Sequence, residues 1–209
     1  MLPSTNPPDL MAPAGIELPV GPDGTVSFAS IPLFPHRDTE VTVYFDTVEG
    51  FLVEQAQYGL DLAPDFQRGH KWTETQQSRF VEFLLQGGNG VANTILLNCC
   101  GYSSPKIRGT YTIVDGLQRL TAVRRFVGNE IPVFGHFRRE FRDTPRIHLG
   151  RLLWVIVEIG TRAELLRMYL ALNRGGTPHT DEDIARVEAL LAEEIAHPTP
   201  PWQKPRETP

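Results

Sequence analysis

Between Tyr111 and Phe126 the chain changes period in a single step. Thr110 to Val114 reads as a strand, Gly116 breaks the run, and Leu120, Val123 and Phe126 then recur at helical spacing. A strand that feeds an amphipathic helix through one glycine needs a sheet to pair with and an apolar face to receive the helix, which points to a layered fold containing both. The same segment carries chemistry. Gly116 permits a tight turn and a close approach, and the helix that follows offers unpaired N–H groups and the positive end of its dipole. Arg119 in the first turn has the shape to clamp a phosphate with two parallel hydrogen bonds. Gln118 suits phosphate or ribose, and Asp115 suits a metal ion or the orientation of an attacking group. A capped turn closed by an Asp115–Arg119 surface pair explains the same letters, and both readings stay open here.

Four further helix starts carry capping signals: Asp46 with Glu49, Thr73 with Gln76, Thr161 with Glu164, and Thr180 with Asp183. Strands are expected at Thr94 to Asn98, Ile131 to Phe134 and Leu152 to Glu158, besides the one before Gly116. The order of elements is mixed, so the fold class is α+β, a compact domain with a small mixed sheet flanked by helices. With 209 residues, the chain fits one domain plus arms. The Pro- and Gly-rich stretch 1–24 reads as a flexible N-terminal arm, 25–196 as the domain, and 197–209, with its five prolines, as a tail.

No apolar run reaches membrane-spanning length and the N-terminus lacks a signal-peptide pattern, so a cytoplasmic setting is expected, in a bacterium or in the host of a phage. Cys99 and Cys100 are adjacent; strand neighbours face opposite ways, which disfavours a mutual disulfide, and nothing near them completes a zinc set. The formal net charge is −5, which argues against a chain that grips DNA unaided. The charge is uneven, however. Residues 106–151 hold 10 Lys and Arg against 4 Asp and Glu, while the remainder holds 10 against 21. The basic region surrounds the turn and leaves DNA open as a partner, with Arg138, Arg139, Arg142 and Arg146 as backbone contacts or as a solvated loop. Trp72 reads as a core anchor rather than a stacking platform.

The run Val114-Asp115-Gly116-Leu117-Gln118-Arg119-Leu120-Thr121 resembles the Asp-Gly-Gln-Gln-Arg-Leu-Thr signature of the GmrSD-type N-terminal domain, a ParB/sulfiredoxin-like family found in restriction enzymes that attack modified phage DNA. Two more segments match in order: Asp65-Phe66-Gln67-Arg68-Gly69 with Trp72, and Leu172-Asn173-Arg174-Gly175-Gly176-Thr177-Pro178 with Asp183-Ile184. The resemblance covers about Thr42 to Leu191. It implies a nucleotide-binding ParB-like domain in which Asp115, Gly116, Gln118 and Arg119 form the phosphate-binding turn. Gln67 and Arg68 would reach the cleft from the upstream loop, and Asn173 and Gly176 would line its far side.

The ligands implied are an NTP (ATP, GTP, CTP or UTP) and Mg2+ near Asp115, with Asp115, Gln118 and Arg119 as catalytic residues. A homodimer is also in keeping with the fold. Leu117 stands where the signature has its first Gln, and it is harmless if it packs into the core. The sulfiredoxin cysteine has no counterpart in the turn, so that redox repair reaction is not expected. The main functional expectation is NTP hydrolysis or phosphoryl transfer, a kinase included, linked to DNA modification or phage–host conflict. The alternatives are a DNA endonuclease of the modified-DNA restriction type and a non-catalytic, nucleotide-dependent interaction module.

Overall fold

The computed structural model describes residues 19–22, 24–26, 39–69, 71–88, 90–102, 110–143, 150–174 and 180–199. Gly176 and Arg146, singled out above, lie outside them. The described residues fall into two units: a sheet unit up to Thr161, and a helical unit formed by Arg162–Thr199 with the short 19–26 segment.

The sheet unit is α+β. Its four strands are β1 (Thr39–Tyr44), β2 (Thr94–Asn98), β3 (Thr112–Asp115) and β4 (Arg151–Val157), in the order β1-β4-β2-β3. The central pair, β4 with β2, is parallel, and both outer pairs are antiparallel. Alternation sorts the residues by face. Leu152, Trp154 and Ile156 on β4 and Ile95 and Leu97 on β2 are fully buried, and Val41 and Val43 of β1 pair opposite Trp154 and Leu152.

Three helices complete this core: α1 (Val48–Ala56), α2 (Glu74–Leu85) and α3 (Leu117–Val127). They contribute Val48, Leu52, Val81, Leu84, Leu120, Val123 and Phe126 to the cluster around Trp154, whose ring lies 4.9 Å from that of Phe51. Each large side chain buried in this way contributes about 1.5–3 kcal/mol relative to exposure. Trp72 packs at the edge of the same cluster, its ring 5.3 Å from Phe80, as expected of an anchor.

Helix α2 opens on the expected capping box, with Thr73 and Gln76 bonded reciprocally. Helix α1 departs from expectation. It begins at Val48, after a 3-10 turn over Phe45–Thr47, and has no side-chain cap. Glu49 cannot close a box with Asp46, because its carboxylate is held by Arg124 of α3 at 2.7 and 3.1 Å. The expected strand at Ile131 to Phe134 is also absent. Val133 and His136 exchange two backbone hydrogen bonds around Phe134 and Gly135, which have φ of 51° and 79°, so this segment is a two-residue turn.

In the helical unit, α4 (Arg162–Arg174) and α5 (Asp181–Ala196) are neighbours. Thr180 caps α5 through the Asp183 N–H. Arg162 approaches Glu194 at 3.7 Å, and the Glu194 carboxylate also accepts from the Thr199 N–H and hydroxyl. No described helix is long and apolar enough to cross a membrane.

Candidate functional site

The turn that ends β3 is set by a bulge. Leu97 pairs with Ile113, but Leu96 pairs with Asp115, so Val114 is an extra residue against β2. A bulge of this kind bends the strand and re-aims the residue after it, here Asp115. Gly116 follows with φ of 97° and begins α3. A Cβ on Gly116 would come within 2.7 Å of Ile95 Cδ1 and 3.0 Å of the Thr94 carbonyl. The glycine is therefore required by the approach of the turn to β2, as well as by its own left-handed backbone.

Two glutamines fasten this turn to the loop before α2. The Gln67 carboxamide donates to the Val114 carbonyl at 2.8 Å and to the Ile113 carbonyl at 3.3 Å, closing the outer edge of β3 at the bulge. Asp61 extends that closure: its N–H donates to the Tyr111 carbonyl, and its carbonyl accepts from the Ile113 N–H. In the opposite direction, Gln118 Oε1 accepts the Lys71 and Trp72 N–H groups at 2.9 and 3.1 Å. Each motif thus grips the other's main chain, and both side chains that were expected to meet a ligand are engaged within the protein. Arg68 is half-buried in the same loop, next to Gln67.

Asp115 and Arg119 form an ion pair at 2.5 Å across one helical turn. The second Asp115 oxygen accepts the Gly116 N–H at 2.7 Å. Arg119 is only 19% exposed, and its Nε is buried with no hydrogen-bond partner. The helix has no side-chain cap, and among the described residues the N–H groups of Leu117, Gln118 and Arg119 have no protein acceptor. The arrangement gathers three free amides, a dipole end and an incompletely satisfied guanidinium, with a half-exposed carboxylate beside them. That set can receive an anion.

Leu117 packs against the core, which leaves the missing signature Gln without consequence for the turn's geometry. Asn173 lies on α4, in the helical unit, where its amide donates to the Tyr169 carbonyl at 2.7 Å. Among the described residues, no three His, Cys, Asp or Glu side chains gather as a metal-binding group. Neither Cys99 nor Cys100 forms a disulfide among the described residues. Burial and the nearby Glu158 push the Cys99 thiol up to about 12, with the Tyr111 hydroxyl as its hydrogen-bond partner. Cys100 is raised for the same reasons.

The loop-to-turn clasp escaped sequence reasoning because its partners are 46–49 residues apart. The only signal was the presence of a Gln in both motifs. No curated protein and no solved structure matches the chain. Residues 49–151, which include the bulge, both glutamines and the turn, match the family model of the GmrSD restriction endonuclease, N-terminal domain, and this match supports the GmrSD N-terminal family as the one the chain resembles.

Proposed function

We propose that the chain acts in the restriction of DNA, and that the turn Asp115–Arg119 is the site at which it takes a phosphate group. The observation that carries this reading is the family match over 49–151, which contains the whole of the clasped turn. The local geometry supports the second half of the proposal. A phosphate at the start of α3 accepts the Leu117, Gln118 and Arg119 N–H groups, with the positive end of the helix dipole behind it. Gln67 and Gln118 hold the turn in place through main-chain hydrogen bonds.

The test is direct. Plasmid DNA and phage DNA carrying modified bases are incubated with the full chain and Mg2+, with and without ATP, GTP, CTP or UTP. Cleavage that Asp115→Ala abolishes is the expected result. DNA left intact under every condition overturns the restriction reading.

A second reading, NTP hydrolysis or phosphoryl transfer, draws on the same observation, because the amides at the start of α3 suit a nucleotide phosphate as well as a DNA phosphate. In that case Mg2+ would sit at Asp115 and take its other ligands from phosphate and water, since one carboxylate suffices for such an ion. Phosphate release from an NTP in the absence of DNA, lost in Arg119→Ala, would favour this reading over the first.

A further inference from the structure

Once the ion pairs are assigned, the positive surplus of 106–151 is unevenly placed. Arg119 pairs with Asp115, Arg124 with Glu49, and Arg125 with Glu74 and Glu130. Arg138, Arg139 and Arg142 have no carboxylate partner among the described residues. All three follow the Val133–His136 turn directly.

That turn is conformationally expensive. Its first central position favours Asn, Asp or Gly, because the backbone is left-handed there. Phe134 occupies it at φ 51°, and the residue is still 48% exposed. Burial therefore does not explain why an aromatic side chain stands at this tip. The tip is held in place: the Phe134 N–H donates to Glu82 Oε1 at 2.9 Å, and Val133 and His136 exchange backbone bonds of 2.8 and 3.0 Å. Of the three arginines, Arg139 is braced as well. The Arg139 N–H donates to Asn129 Oδ1 at 2.7 Å, and its guanidinium lies 5.2 Å from the centre of the Phe137 ring. The neighbouring Glu140 is engaged by the Phe137 N–H at 2.6 Å and lies 3.8 Å from His136 Nδ1. Asp143 is the remaining acid of the segment.

We propose that Phe134 with Arg138, Arg139 and Arg142 is a contact surface for DNA with an unstacked base: the base stacks on the Phe134 ring and the flanking phosphates meet the guanidiniums. A strained residue kept at a protein surface is a mark of function. An exposed aromatic residue followed within eight positions by three arginines without carboxylate partners among the described residues is a combination suited to binding single strands without sequence preference. Charge complementarity points the surface to a polyanion, because three arginines without a carboxylate partner among the described residues fall within five consecutive positions of a chain of net charge −5. This inference rests on the DNA reading above and specifies where DNA is met.

The experiment measures anisotropy of a labelled single-stranded oligothymidine and of a duplex of equal length, over a range of salt. Phe134→Asn places a residue suited to the left-handed position, so its melting temperature should hold or rise, while single-strand affinity should fall by about tenfold, the loss of one base stack. The triple variant Arg138→Ala, Arg139→Ala, Arg142→Ala should flatten the dependence of affinity on salt. Unchanged affinity in Phe134→Asn, an unchanged salt slope in the triple variant, or tighter binding of the duplex than of the single strand overturns the proposal. If the wild type binds DNA and Phe134→Asn binds it equally well, only this surface is refuted. If the wild type binds no DNA, the DNA reading fails with it.

Discussion

At the residue scale, Gly116 and the two clasping glutamines carry the site. Gly116→Ala forces a Cβ against Ile95 and the Thr94 carbonyl in a left-handed backbone, and is expected to cost about 1–3 kcal/mol in a denaturant melt. Gln67→Ala leaves the Ile113 and Val114 carbonyls without their donor, and Gln118→Ala strips the Lys71 and Trp72 N–H groups of their acceptor. Each should lose about 1–3 kcal/mol by the same measurement. If both variants melted like the wild type, the clasp would be incidental to the fold. The composition of the turn was legible in the sequence, because Asp115, Gly116, Gln118 and Arg119 are close neighbours in the chain. The hydrogen bonds of Gln67 and Gln118 were not, since the main chain each grips lies 46–49 residues away in sequence. The Asp115–Arg119 pair was foreseen as one of two readings, and it coexists with the free amides that serve the other.

At the element scale, local signals succeeded where the partner was local. Thr73 and Gln76 lie three residues apart and form the box that starts α2, and Thr180 caps α5 in the same way. Thr73→Ala should cost about 1 kcal/mol. Asp46→Ala should shift stability by no more than about 0.5 kcal/mol, because Asp46 caps nothing. Thermal melts of the two variants side by side check the contrast, and equal losses would contradict the account of α1. The spacing of Asp46 and Glu49 misled because Glu49 binds Arg124, 75 residues away. The letters of Ile131 to Phe134 misled in a similar manner: an apolar run was turned back by Gly135 and by Phe134 in a backbone state that its side chain disfavours. Strand β1 was not among the expected strands, although Glu40 and Thr42 are exposed and alternate with Val41 and Val43, which pack on the core.

At the scale of the whole molecule, the α+β class followed from the mixed element order, but the strand order β1-β4-β2-β3 did not. The parallel pairing of β2 with β4 joins segments far apart in the chain, and no local pattern encodes it. The same core sets a pH dependence. The unfolded chain releases the Cys99 proton near the ordinary thiol value of about 8.5, while the folded chain holds it until about 12. The folded-state value is the raised one, so its contribution to stability is complete below the ordinary value and is lost as pH rises toward 12. Melts at a series of alkaline pH values should show stability falling over that window, with a shallower fall in Cys99→Ala; identical slopes would assign the effect to other groups.

The central claim is that the start of α3 receives a phosphate, and amide spectra of the isotope-labelled chain test it most directly. On titration with each nucleoside triphosphate and Mg2+, and then with DNA, at least one ligand should move the Leu117, Gln118 and Arg119 resonances together and with saturation, and Arg119→Ala should remove that response. Resonances that stay fixed through every titration, or a response elsewhere in the chain that leaves these three untouched, would contradict it.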